Sequence, residues 1–237
     1  MPQFQKGLAI TRTVIIPIGS VEEHGSHLPL GTDTIHAYEL AKKTAEIRPV
    51  FVAPPIWYGL CRSTSQHPGT LTISGSTLQL LVVEIAKSLY QQGLRNLVII
   101  SGHAGGTHMA SLLDAGEKIL EALSQSRVAV LSVIDLQSNE ELQRMIQCKG
   151  DAHAGEVETS LMLHLRPSHV EGTSPSEFPA FPKYILVRDK KRHWPGGVWG
   201  DPGKASASKG EKLLEKEAHI LSQIIDMLES YREETTP

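Results

Sequence analysis

The sequence predicts an α/β fold, a three-layer α/β/α sandwich around a mainly parallel central sheet. Three observations carry that expectation. Short apolar, β-branched runs at 14–18, 50–53, 97–100 and 128–134 alternate with amphipathic helical stretches, the pattern of strand-helix-strand units. No internal repeat or linker divides the 237 residues, so a single domain spanning 1–237 is expected. With 40% hydrophobic and 21% charged residues, the composition is that of an ordinary globular protein.

The elements follow in order. Val14-Ile15-Ile16-Pro17-Ile18 reads as a buried strand. Asp33 or Thr34 caps a helix running to about Glu46, and 50–53 forms a second strand stopped by Pro54-Pro55. A loop rich in Gly, Ser and Thr follows. Thr77 then opens a helix that Gly93 ends, with Leu78, Leu81, Val82, Ile85 and Leu89 as its apolar stripe. Leu97-Val98-Ile99-Ile100 is continuous and apolar, hence a central strand. A helix over 107–123, a strand over 128–134 and a short helix near 139–147 come next. The stretch GDAHAGEVETSLMLHL opens a helix that Pro167 closes, and a long amphipathic helix spans about 207–231.

Charge and composition exclude several functions. A net charge of −3 argues against nucleic-acid binding, which needs a basic surface. No run of eighteen apolar residues offers a membrane span, and the first residues lack the apolar core of a signal peptide. Cys61 and Cys148 make neither a C-x-x-C pair nor a disulfide framework, which suits a reducing cytoplasm, and both are read as lying outside any ligand cluster. Eleven histidines, several beside Gly, Asp or Glu, hint at metal chemistry.

Three polar clusters carry that hint. The first, IPIGSVEEHGSHLPLGTDTIH, packs Glu22, Glu23, His24, His27, Asp33 and His36 into one stretch after the first strand. In extended chain alternate residues point the same way, so Glu22 and His24 face one centre while Glu23 turns aside. Asp33 can return a carboxylate whose two oxygens could bridge two cations. The second cluster, SGHAGG, follows the central strand. His103 is there, and Gly102, Gly105 and Gly106 allow close backbone approach and expose amides near a helix start. In a parallel sheet both clusters fall beyond the carboxyl ends of strands, where α/β sites form. The third cluster holds Asp151, His153, Glu156 and Glu158 at a helix start. His153 beside a carboxylate suits proton transfer, whereas Glu156 is expected only to favour the helix dipole.

Taken together, IPIGSVEEHGSHLPLGTDT, HPGTLTIS, SGHAGG and HAGEVETSLML resemble the creatininase (creatinine amidohydrolase) family in order and spacing, over about 14–221. The resemblance implies a hydrolase that cleaves a C–N bond other than an ordinary peptide bond, in an amide, cyclic amide or formamide, by metal-activated water. It also implies two divalent ions per chain and a homo-oligomer, commonly a hexamer. Carried onto this sequence, Glu22 and His103 would hold one ion, His24 the other, and Asp33 would bridge them. His153 would be the acid/base residue, with Glu158 orienting it or touching metal. The ions would be zinc, manganese or iron(II), since oxygen and imidazole ligands suit all three.

The chain also departs from the family pattern. Creatininase itself has a glutamate two residues beyond the histidine matching His103, and it ligates the second metal. Here that place is Gly105, leaving the second ion more weakly held and completed by water, Glu158 or substrate. Ile134 and Lys149 stand where creatininase has tryptophans, so an aromatic box for creatinine is not expected and creatinine is not the expected substrate. The motifs fit equally a formamidopyrimidine-nucleotide deformylase or a mycofactocin-type peptidase. A non-catalytic metal-binding oligomeric scaffold is the reading from a different class. The backbone of Gly105 and Gly106 is expected to meet a developing oxyanion. Lys149, with the run Arg188, Lys190, Lys191 and Arg192, would favour an anionic substrate, although such runs are commonly solvated. Trp194 and Trp199, set among glycines, suggest a lid or an interface.

Overall fold

The computed structural model describes residues 2–232. Four parallel strands form one sheet in the order β2-β1-β3-β4: β1 (Thr13–Ile18), β2 (Phe51–Val52), β3 (Asn96–Ser101) and β4 (Arg127–Ser132). The helices are α1 (Pro2–Leu8), α2 (Thr32–Ile47), α3 (Gly75–Gln91), α4 (Gly106–Ala122), α5 (Val133–Gln137), α6 (Glu140–Met145), α7 (Glu156–Leu165), α8 (Lys190–His193) and α9 (Ala207–Ser230).

The alternation of side chains along each strand divides the core into two layers. Val14, Ile16 and Ile18 of β1 and Leu97 and Ile99 of β3 pack with Leu78 and Val82 of α3 and Leu112 and Ile119 of α4. Ile15, Val98 and Ile100 point the other way, onto Leu40 of α2, Leu161 of α7 and Leu213, Leu221 and Ile225 of α9. The expected α/β/α sandwich is therefore found. None of the described helices is long and apolar enough to cross a membrane.

Several boundaries differ from expectation, each for a local reason. Helix α3 starts at Gly75 rather than Thr77, because the Ser74 side chain accepts the Thr77 amide and caps the helix earlier. The apolar run 128–134 leaves the sheet at Ser132, where Ser132 and Asp135 form a reciprocal capping box and turn Val133 and Ile134 into α5. Strand β2 is only Phe51–Val52. Helix α2 begins after Gly31 with no side-chain cap; the Asp33 carboxylate is turned inward instead.

One buried ion pair ties α2 to α9. His36 Nε2–H donates to Glu217 at 2.7 Å, with both side chains sealed from solvent and Gln137 donating to the other carboxylate oxygen. Burial works to lower the His36 pKa, but the Glu217 charge raises it above the usual imidazole value. Removing one partner of such a pair strands a buried charge. His36→Ala should cost roughly 3–5 kcal/mol of unfolding free energy, read from urea unfolding. Because the folded-state pKa is raised, the stabilisation is complete below about 6.5 and fades as pH rises through the folded value. The gap between wild type and variant should accordingly narrow in alkaline buffer.

Candidate metal centre

Strands β1 and β3 run in register, Ile18 opposite Ser101, so the chain leaves both at the same sheet edge. The Gly102 amide donates to the Ile18 carbonyl at 2.8 Å, locking the two exits together. A Cβ on Gly102 would lie 2.0 Å from the Asp33 carbonyl oxygen, so only glycine lets the turn after β3 lie against the start of α2. Glu22, His24, Asp33 and His103 converge there, all buried.

Asp33 faces both imidazoles. Its Oδ1 lies 3.0 Å from His24 Nε2, and its Oδ2 lies 3.3 Å from His103 Nδ1. Glu22 Oε2 lies 2.7 Å from His103 Nδ1, and Glu158 Oε2 lies 3.6 Å from His24 Nε2. The donor atoms fall into two groups able to hold an ion, one with Glu22, Cys61 and His103, the other with His24, His153 and Glu158. Backbone carbonyls fix the rings. His24 Nδ1–H donates to the Glu22 carbonyl at 3.0 Å, His103 Nε2–H to Leu60 at 3.2 Å, and His153 Nε2–H to Glu23 at 2.8 Å. This is the support that metal-binding histidines require, because it leaves the opposite nitrogen with its lone pair toward the centre.

Burial opposes every charge at this site, and the partners decide the outcome. Against that burial, the His103 charge holds Glu22 down at about 2, and His24 and His103 hold Asp33 well below the usual carboxylate range. Asp33 and Glu158 push His24 up to about 10, and Glu22 and Asp33 raise His103 as well. Glu158 is raised by burial to about 7. Three carboxylates thus depend on positive charge, supplied by two imidazolium protons. Divalent ions would supply the same charge with both rings neutral, so the donor set fits a two-metal site. His153 differs: burial and the His24 charge lower it to about 4, leaving it neutral near pH 7.

Several neighbours carry no signal in the sequence. Ser20 Oγ–H donates to Asp33 at 2.5 Å, and Thr64 donates to Glu22. Cys61, expected to stand clear of the ligands, is fully buried among them, and burial with the Glu22 charge lifts its thiol to about 12. It sits there because the Cys61 amide donates to Thr72 Oγ1 and turns the loop inward. Lys149 is exposed and takes no part in the cavity, since the chain reaches His153 by passing over the surface at 149–150. His27 bonds Thr159 and Ser174, and Glu23 lies 3.8 Å from His67 and 3.9 Å from His153. Glu156, expected only to favour the helix dipole, is instead fully buried, its carboxylate accepting the Gln147 and Cys148 amides and pairing with Lys209.

A cavity of about 190 Å³ opens onto Glu22, Asp33, His103, His153 and Glu158. Ile134 lines it, yet an aromatic wall exists after all, supplied by Trp194 and Trp199, whose rings meet edge to face at 5.8 Å. Trp194 also packs edge-on against His153 at 5.1 Å, and its indole N–H donates to the Val198 carbonyl at 2.7 Å.

A family model described as Creatininase: Creatinine amidohydrolase matches residues 1–225. The chain belongs to the creatininase family. It is 33% identical over 218 residues to the mycofactocin precursor peptide peptidase of Mycolicibacterium smegmatis, covering 85% of this chain and 79% of that protein. To the creatinine amidohydrolase of Pseudomonas putida it is 28% identical, covering 85% and 84%. A crystal structure of creatinine amidohydrolase (creatininase) superposes with a TM-score of 0.86 at 26% identity, over 98% of this chain and 96% of that one. Creatininase structures of comparable likeness include a manganese form and a Zn–Zn form. The chain is therefore a creatininase-family hydrolase with candidate metal-binding groups of its own.

Gly105 lies directly against the His103 ring. A Cβ there would lie 2.6 Å from His103 Nε2, so any side chain presses on a ring held by Leu60 and Glu22. Gly105→Ala should leave the fold intact while weakening metal affinity roughly 10- to 100-fold, as displaced support of a ligand does. Competition with a chelator, followed by metal analysis, measures this.

Proposed function

We propose that this chain is a two-metal amidohydrolase that opens a C–N bond of an amide, cyclic amide or formamide. The observation that carries the reading is the Asp33 carboxylate, whose two oxygens face imidazoles from two separate donor groups. Glu22 and His103 would hold one ion; His24 and Glu158 would hold the other, with Asp33 between. The Glu158 carboxylate, 3.6 Å from His24, stands in for the glutamate that Gly105 lacks. Zinc, manganese or iron(II) would satisfy these oxygen and nitrogen donors.

When bound, such ions acidify water toward neutral pH and polarise a carbonyl. The residues of the chain do the remainder. His153, with its Nε2–H tied to the Glu23 carbonyl, has Nδ1 free to take a proton and deliver it to the leaving nitrogen. The amides of Gly105 and Gly106, where α4 begins, offer donors to the oxyanion. Trp194 and Trp199 wall the cavity and exclude bulk water.

Of the substrates considered, the peptide reading gains support from the 33% identical relative named as a peptidase. The same reading has the protein working in the cytoplasm as a homo-oligomer, a hexamer being favoured.

The test is His153→Ala. The variant should fold, retain two metal ions per chain and lose most of kcat, about 100-fold or more, on a panel of formamides, lactams and short peptides. Full activity would overturn the acid/base role. Loss of one ion would make His153 a ligand instead. Wild type holding one ion and turning over nothing in the panel would favour the scaffold reading.

A further inference from the structure

The cavity at the metal centre does not end at Gly105. A second cavity, of about 380 Å³, shares Ser63, His103 and Gly105 with the first. It continues along Phe181, Ile185, Leu186 and Val187 to Arg62 and Lys190. No carboxylate lines it. The Lys190 ammonium donates to the Arg62 backbone carbonyl, which ties the start of α8 to the segment carrying Arg62. Burial and the Arg62 charge lower the Lys190 pKa, so the pair repels and lacks an acidic partner among the described residues. Gly105 is one of the residues at their junction, where a Cβ would lie 2.6 Å from His103 Nε2.

We propose that the substrate is an amide carrying an apolar group and, beyond it, a carboxylate or phosphate, with the reacting bond in the first cavity and the anion at Arg62 and Lys190. The apolar part lies against Phe181 and Ile185, and the oxyanion relieves the repulsion between the two cations. Position alone gives the order: acids and histidines at one end, apolar wall in the middle, cations at the other. The proposal rests on the amidohydrolase reading only for the site of the reacting bond.

Binding of matched probes tests it without turnover. Calorimetric titration of the metal-loaded protein compares 4-phenylbutyrate, 3-phenylpropyl phosphate and the neutral 4-phenylbutanamide. At least one anion should bind roughly fivefold more tightly than the neutral amide, the order expected of partly exposed charges. The tighter of the two anions identifies the headgroup. In the double variant Arg62→Gln, Lys190→Gln the preference should vanish while the amide binds as before. A preference that survives in the variant comes from the metal ions and overturns the proposal, as does equal binding of all three probes to wild type. Hydrolysis of the formamide, lactam and peptide panel is scored separately, so failure of the amidohydrolase reading is seen there and not in the titrations.

Discussion

The constraint on which this site depends is the cost of burying carboxylates. Glu22 and Asp33 are 2% exposed, and both are ionised because imidazoles stand against them. Asp33 carries most of the consequence. It lies in the first turn of α2, where it would ordinarily serve the helix, yet it points inward and touches rings from two different loops. The exit of β1, the exit of β3 and the start of α2 are therefore held together by one side chain. The glycine at 102 lets them approach closely enough for that.

The supporting shell is as specific as the donors. Three backbone carbonyls orient three histidines: the adjacent Glu22 and Glu23 hold His24 and His153, and Leu60, from a separate loop, holds His103. The Glu22 side chain and its own carbonyl serve opposite halves of the centre, through His103 and His24 respectively. Disturbing residues 20–24 would thus be felt in both halves. Gly105 has no side chain to offer, and the carboxylate nearest His24 besides Asp33 is Glu158, at 3.6 Å. Gly105 lines both cavities, so its lack of a side chain bears on the space at each.

Much of this was legible in the sequence. Alternating apolar runs located the strands, and the rule that sites gather beyond strand ends placed Glu22, His24, Asp33 and His103 on one edge. Glu23, which the alternation in Glu22-Glu23-His24 turns aside, lies 3.8 Å from His67 and 3.9 Å from His153. What could not be read were contacts made by residues with no chemical signature of their own. Cys61, Ser20 and Thr64 reach the carboxylates through loop paths that no periodicity encodes. Trp194 and Trp199 supply an aromatic wall from a segment well beyond Ile134 and Lys149, the positions at which the family resemblance would place one. Lys149 failed for the converse reason: a nearby basic residue in sequence proved to be on the outer surface.

The central claim is that Asp33 joins two ion sites in one chain. Anomalous diffraction from crystals grown with manganese or zinc tests it most directly. The account predicts two anomalous peaks, one beside Glu22 and His103 and one beside His24 and Glu158, with an Asp33 oxygen on each. A single peak, or two peaks that Asp33 does not touch, would contradict it.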